Sequence, residues 1–389
     1  MKILCVGGGS GGHITPIVAV IKEIEAREPD VEARVWCDRK FGQQAKNLLA
    51  GAGEEEVRVS IVPAGKLRRY ANLPWWYRWF SPYHIIHTHI PNLIDLFKIA
   101  GGFVASLVKL LVWRPDVVFC KGGYVCLPVG IVAHLYKIPL VIHDSDTVPG
   151  LTNRVLARFA TAIGTGAPVE NYPSYPKSKT KFVGIPVRDE IKPASVRERN
   201  ALKKKLGFSV RRPLIMAMGG GLGAAEINAA VAQNAAKLID KGADILLLCG
   251  RGRSVALDLT DEQLDHIQVQ EFSTEIADSM RACDLMITRA GATTMAELAA
   301  IKVPTIIIPS PYLAGDHQTK NAMVYQKAGA AIVINQFKLE KQPALLSQAI
   351  NRILSDPAKA KQMAQNLGKF ARPNALRDMA DLILGAAVR

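Results

Sequence analysis

Two stretches of this 389-residue chain, more than two hundred residues apart, share one grammar. MKILCVGGGSGGHITP (Met1 to Pro16) and PLIMAMGGGLGAAEIN (Pro213 to Asn228) each set a short apolar run, a glycine turn and a helix-forming run in that order. An apolar run feeding a helix through a tight glycine turn opens a parallel β-α-β unit. The alternation then continues, with PIVAVIKEIEAR, VEARVWC, PDVVFC and PLVIH in the first half, and AEINAAVAQNAAKLIDKG, DILLLCG, LMITRAG and PTIIIP in the second. The pattern predicts an α/β protein of two Rossmann-like parallel-sheet domains facing each other across a cleft. The length agrees, since a single core rarely serves so many residues. The proline- and lysine-rich segment VENYPSYPKSKTKFVGIPVRDEIKP closes the first domain, 1–187, and Arg188 opens the second, 188–372. A last helix, about 373–389, is expected to pack back on the first domain.

Charge narrows the choice of partners. The formal net charge is +15, which favours a polyanionic partner. The excess is local: Lys66 to Arg114 holds seven Lys/Arg against one acidic residue, together with four of the five tryptophans, three of them in PWWYRWF. Aromatic and basic side chains interleaved in this way suit the headgroup region of an anionic bilayer, and on the residues alone also suit single-stranded nucleic acid. Lys66, Arg68, Arg69, Trp75, Trp76, Arg78 and Trp79 are the candidate membrane-surface residues. The apolar stretch IAGGFVASLVKLLVW (Ile99 to Trp113) falls short of the roughly 20 residues that span a bilayer and carries Lys109, which predicts a buried or interfacial helix. The start runs straight into a glycine loop, so no secretory signal is expected. Six scattered cysteines without a C-x-x-C pair predict buried thiols, and His84, His87 and His89 have no cysteine or carboxylate at ligand spacing.

The glycine run allows two readings. Gly7, Gly9 and Gly12 fit the dinucleotide spacing, and Asp38 stands where an adenosine ribose would need a carboxylate. Yet His13 follows the glycines directly, at a helix start where the dipole disfavours an imidazolium, which marks it as a general-base candidate. KGGYVCLP is a second glycine turn in the same half. HDSD (His143 to Asp146) ends another strand at the edge where parallel sheets bind ligands, and its D-x-D also matches a metal-diphosphate motif. In the second half RAGATTMAELAA places Gly291, Thr293 and Thr294 at a helix start suited to a diphosphate, with Glu297 one turn on for ribose hydroxyls. GDHQTKNA adds Asp316, His317 and Gln318 on the same edge.

These motifs, with PGLTNR, VGIPVR and GGGLGA, come in an order that resembles the MurG family of glycosyltransferases over most of the chain. The resemblance implies a GT-B fold and an inverting, UDP-GlcNAc-dependent transferase. Such an enzyme moves GlcNAc to the C4 hydroxyl of the muramyl sugar of lipid I, undecaprenyl-pyrophosphoryl-MurNAc-pentapeptide, giving lipid II in peptidoglycan synthesis. It implies a peripheral enzyme on the cytoplasmic face of the cell membrane, partnered by an anionic membrane surface and by no nucleic acid, with no obligatory metal or other cofactor. Carried over by position, Ser10, Gly11, Gly12 and Asp146 touch the donor from the first domain. Arg188 and Ser273 lie at its phosphate and uracil ends, Gly221 and Ala292, Thr293, Thr294, Met295 and Ala296 cradle the diphosphate, Glu297 holds the ribose and Gln318 the GlcNAc hydroxyls. His13 is the implied base, with Asp144 as a second candidate. Two departures stand out: His143-Asp144-Ser145-Asp146 replaces the family's common H-E-Q-N, and Gly221 replaces a serine. The alternatives are another UDP-sugar enzyme of the same fold, such as a UDP-GlcNAc 2-epimerase or a different lipid glycosyltransferase, and an NAD-dependent oxidoreductase.

Overall fold

The computed structural model describes residues 1–9, 11–67, 79–220, 223–273, 275–313 and 316–388. They form two compact units, Met1–Val187 with Asn374–Arg389, and Arg188–Pro373. The first unit is built on seven parallel strands, β1 (Lys2–Gly7), β2 (Glu32–Cys37), β3 (Arg58–Ile61), β4 (Val117–Gly122), β5 (Leu140–Asp144), β6 (Ala162–Thr165) and β7 (Thr180–Phe182), in the order β3-β2-β1-β4-β5-β6-β7. Its helices are α1 (Gly11–Arg27), α2 (Gly42–Gly51), α3 (Ile90–Val112), α4 (Cys126–Leu135) and α5 (Leu151–Leu156).

Strand periodicity distributes these helices over the two faces. Successive side chains point to opposite sides, so Ile3 and Cys5 of β1 join Ile14, Ile17 and Ile21 of α1 in one core. Leu4 and Val6 join Leu110 of α3 and Val129 and Val132 of α4 in the other. A sheet covered on both faces needs strands that are apolar throughout, which is what KILCV and VVFC supply.

The second unit repeats the design with six parallel strands, β8 (Leu214–Met218), β9 (Asp244–Leu248), β10 (Ile267–Gln270), β11 (Leu285–Thr288), β12 (Thr305–Ile307) and β13 (Ile332–Val333), in the order β10-β9-β8-β11-β12-β13. Helices α6 (Val196–Lys205), α7 (Ala225–Asp240), α8 (Ile276–Ala282), α9 (Ala292–Ile301), α10 (His317–Lys327), α11 (Ala344–Leu354) and α12 (Pro357–Gly368) surround it. Ser195 and Glu198 start α6 with a reciprocal capping box.

The last helix, α13 (Ala375–Ala387), belongs to the first unit. Met379, Ala380 and Ile383 enter the core beside α1, and Asp381 receives Arg27 at 2.7 Å. In each sheet the order reverses at one place, between β1 and β4 and between β8 and β11. Open α/β sheets bind ligands outside the carboxyl ends of the strands at that reversal. The glycine turns after β1 and β4, and the RAGATT turn after β11, all emerge there.

Candidate functional site

In the first unit the site is made by two interlocked glycine turns. Gly8 N–H donates to Gly122 O at 3.3 Å. Gly123 takes a φ of +91°, and a Cβ there would collide with the Gly8 carbonyl, so only glycine lets the turns meet this closely. Asp38, at the end of β2, receives Gly9 N–H at 2.7 Å and Lys40 N–H at 3.0 Å. Its carboxylate therefore braces the loop, which removes the feature the dinucleotide reading needed.

His13 lies against these turns. Its Nδ1 is 2.5 Å from Gly8 O. A carbonyl only accepts, so Nδ1 carries the proton and Nε2 the lone pair, on the side facing Gly122. The ring is half-buried. Desolvation, then the positive charge of Lys121, push its pKa down to about 4, against the upward pull of the Gly8 carbonyl, Asp146 and Asp38. At neutral pH it is an uncharged imidazole able to accept a proton at Nε2.

The HDSD segment is anchored from below. His143 is buried with Nε2 donating to Gly184 O at 2.8 Å, and burial keeps it neutral. Asp144 receives Tyr175 O–H at 2.7 Å and Gly150 N–H at 3.0 Å, and burial raises its pKa. This carboxyl ties down the 145–150 loop. Tyr172 O–H donates to the Asp146 carbonyl at 2.6 Å. Lys121, which the sequence reading passed over, is buried with its ammonium 2.5 Å from Ser145 Oγ.

In the second unit, Gly291 precedes α9, and the first turn presents the N–H groups of Ala292, Thr293 and Thr294. Met295 N–H closes the first intrahelical bond onto Gly291 O at 2.9 Å, and its side chain is in the core. Ala296 is half-buried on the next turn. The helix start is pinned by residues that no motif announced: Asn321 donates to Ala290 O at 3.2 Å, and buried Arg289 donates to Ile308 O, Gln336 Oε1 and Glu226 Oε2. Glu297 is buried, and desolvation raises its pKa to about 7 although Arg188 pulls the other way. Arg188 holds Glu190 at 3.0 Å, while its buried Nε has no hydrogen-bond partner among the described residues. An orphan guanidinium donor beside a carboxyl is an opening for a ligand oxygen.

Gln318 is buried with Oε1 receiving Ser310 N–H at 2.9 Å. Asp316, just before α10, holds a left-handed φ of +53°, a strained conformation of the kind that gathers at functional loops. Ser273 Oγ receives Glu275 N–H at 3.1 Å. Gly11 opens α1, with half-buried Gly12 next to it. Ser10, Gly221, Arg68, Arg69, Trp75, Trp76 and Arg78 lie outside the described residues.

A separate surface of the first unit is apolar. One face of α3 buries Gly102, Ser106 and Leu110, with Ser106 Oγ donating to Gly102 O at 2.6 Å. The opposite face exposes Leu93, Phe97, Val104, Val108 and Leu111, with Phe97 74% and Leu111 73% accessible. Just before α3, Trp79, Phe80 and Tyr83 are exposed as well, Trp79 stacking on His89 at 5.0 Å. Lys66 is exposed in the loop after β3, and Lys98 on α3 itself. No described helix is long and apolar enough to cross a membrane. His84 faces Thr88 Oγ1 and His87 faces the Tyr83 carbonyl, so these histidines serve local packing.

Two Rossmann-like units, each with a ligand edge built from glycine turns and helix N-termini, define the GT-B class of fold. The Glycosyltransferase family 28 N-terminal domain matches residues 81–165 and the C-terminal domain residues 214–381. The UDP-N-acetylglucosamine–N-acetylmuramyl-(pentapeptide) pyrophosphoryl-undecaprenol N-acetylglucosamine transferase of Thermoanaerobacter sp. is 33% identical, over 98% of this chain and 99% of its own. Its counterpart in Listeria monocytogenes is 31% identical over 99% of each chain. The chain belongs to this transferase family, the MurG family. The crystal structure of Acinetobacter baumannii MurG shares the fold, with a TM-score of 0.68 at 24% identity over 99% of both chains. So does UDP-GlcNAc 2-epimerase from Neisseria meningitidis, with a TM-score of 0.66 at 12% identity over 99% of this chain and 100% of that one. The fold thus admits both activities, and the full-length relatives favour the transferase.

Proposed function

We propose that this chain transfers GlcNAc from UDP-GlcNAc to the C4 hydroxyl of the muramyl sugar of lipid I. The observation that carries the chemistry is His13, a neutral imidazole with its Nδ1 proton fixed on Gly8 and its lone pair on Nε2. The acceptor oxygen attacks C1 of GlcNAc on the face opposite UDP. Its proton passes to Nε2, the bond from C1 to the β-phosphate oxygen breaks, and UDP leaves with the electron pair, giving an inverted β1,4 linkage.

In this reading the leaving diphosphate lies at the start of α9, on the N–H groups of Ala292 to Thr294, where the helix dipole and Arg188 stabilise growing negative charge. Gly221, Ser10, Gly11, Gly12 and Asp146 are assigned to the donor by their places in the family's motifs. Ser273 is assigned to the uracil end, Glu297 to the ribose and Gln318 to the GlcNAc hydroxyls. Because the protein's own donors take the charge, no bound metal is assigned to the step. The test is transfer itself. Incubated with UDP-GlcNAc and a lipid I analogue, with or without EDTA, the chain is expected to add one N-acetylhexosamine to the acceptor. An acceptor of unchanged mass would overturn the assignment.

Glu297 gives this reading a pH signature. Its folded-state pKa is raised from 4.5 to about 7, so in the unliganded protein stability falls as pH rises through that window. Ribose hydroxyls donate to the ionised carboxylate, so UDP binding drives the proton off and affinity rises with pH. Titration calorimetry at pH 6 and pH 8 is expected to show tighter UDP binding at the higher pH, and Glu297→Gln to flatten the difference. Equal affinity at both values in the unmodified protein would remove Glu297 from the ribose.

We also place the enzyme peripherally on an anionic membrane surface at the cytoplasmic face of the cell membrane. The exposed face of α3, with Trp79, Phe80 and Tyr83, supports this: apolar and aromatic groups at helical spacing suit entry into the headgroup region. Lys66, Arg68, Arg69, Trp75, Trp76 and Arg78 precede it in sequence and would meet the anionic headgroups.

A further inference from the structure

The second unit holds a cavity that the transfer reaction does not use. It measures about 530 Å³ and collects six cations against one carboxylate: Arg199 and Lys203 of α6, Arg211 and Arg212 before β8, Lys302 after α9, Lys361 of α12, and Asp284. Pro213, Asp284 and Pro304, which also line it, immediately precede β8, β11 and β12. These strands are parallel, so the cavity lies at their amino ends. The glycine turns and the start of α9 lie at the opposite, carboxyl edge.

Half of these cations are spent on the fold. Asp284 receives Arg199 at 3.2 Å, Lys203 at 2.5 Å and Leu214 N–H at 2.8 Å, so its charge is already taken up within the wall. Lys203, 4% exposed, also donates to Arg212 O at 2.9 Å. Arg212 pairs with Asp244 at 2.7 Å and donates to the Ile239 and Ala243 carbonyls at 2.7 and 2.9 Å. The other half are unspent. Among the described residues Arg211, Lys302 and Lys361 have no ion-pair partner and no side-chain hydrogen bond, and Arg199 keeps a buried Nε without one. A lone surface lysine is simply solvated, but here three free cations from three separate elements converge on one concavity. Ile353 and Leu354 complete its wall. A cleft of one charge sign with low-dielectric walls focuses its field and concentrates counter-ions.

We propose that this cavity is a second anion site, for a small soluble molecule bearing two or more phosphate groups, separate from the sugar-nucleotide site. A phosphate oxygen pair matches the fork of the Arg211 guanidinium, and the Lys302 and Lys361 ammonium groups serve as point charges for a second phosphate. The volume falls in the range of roughly 300–1,000 Å³ that small-molecule sites occupy. No tryptophan, tyrosine or phenylalanine lines the cavity, so it lacks the aromatic groups that enter a bilayer, which favours a soluble anion over a lipid headgroup. The proposal stands apart from the transferase reading, since Arg211, Lys302 and Lys361 have no part assigned to them in transfer.

The probe is inorganic pyrophosphate, titrated calorimetrically into the full chain with and without saturating UDP. With UDP present, the unmodified protein is expected to bind one further equivalent of pyrophosphate. The triple variant Arg211→Gln, Lys302→Gln, Lys361→Gln is expected to bind it about 10- to 100-fold more weakly, for the loss of three charge-assisted contacts. All three residues are exposed, so melting temperature and UDP affinity should hold. Should the triple variant not fold, Lys361→Glu alone is expected to weaken pyrophosphate by about 10-fold. Pyrophosphate affinity equal in parent and variant, or no pyrophosphate bound by the parent, overturns the proposal. Displacement of bound pyrophosphate by phosphatidylglycerol vesicles overturns the soluble source. If UDP itself fails to bind, that strikes the transferase reading, and the comparison of parent and variant without UDP still reads this cavity.

Discussion

Replacing His13 with alanine is expected to lower kcat by about 10²- to 10⁴-fold, the usual contribution of a positioned general base. The loss should fall on kcat, while affinity for UDP-GlcNAc stays near that of the unmodified protein, because His13 is not among the groups assigned to the donor. Fold should also survive, since the ring is half-buried and makes one hydrogen bond, to Gly8. Single-turnover kinetics with calorimetric donor binding separates the two quantities. Turnover within a few-fold of the parent would take the base role from His13.

The second large effect concerns the exposed face of α3. Changing Phe97, Val108 and Leu111 together to serine is expected to weaken binding to anionic vesicles by at least about 100-fold. Full burial of one such side chain is worth about 1.5–3 kcal/mol, and three partly inserted ones together exceed the threshold. All three are exposed in the free protein, at 74%, 57% and 73%, so the change should leave the melting temperature intact. Turnover on a water-soluble acceptor analogue should be unaffected while turnover on membrane-borne acceptor falls. Vesicle binding equal to the parent's would show that the face has another use.

The architecture is legible in the sequence because strands buried on both faces must be apolar throughout, and KILCV, VVFC and LIMAM are. The glycine turns are equally legible, since backbone that must approach backbone or ligand admits no side chain. What escaped are residues whose meaning is tertiary. Lys121 belongs to no chemical pattern along the chain, and its burial shows only once β4 is found covered on both sides. Asp38 fits a ribose by its spacing alone, and only the fold shows its carboxylate turned onto Gly9. Asp144 and Asp146 read as a symmetric pair, yet Tyr175, thirty-one residues on, fixes the first to the protein. Arg289 and Asn321 support the α9 start from positions that form no local pattern. The stretch from Ile99 to Trp113 reads as buried or interfacial, and the two descriptions hold for opposite faces of one helix: Gly102, Ser106 and Leu110 inward, Val104, Val108 and Leu111 outward.

Above all, this chain is expected to move a sugar from a nucleotide to a lipid-linked acceptor. The most direct measurement is UDP release from UDP-GlcNAc with and without a lipid I analogue. Release is expected to require the acceptor, to match the disaccharide formed mole for mole, and nearly to disappear in His13→Ala. Release at the same rate without acceptor, or none above background with it, would contradict it.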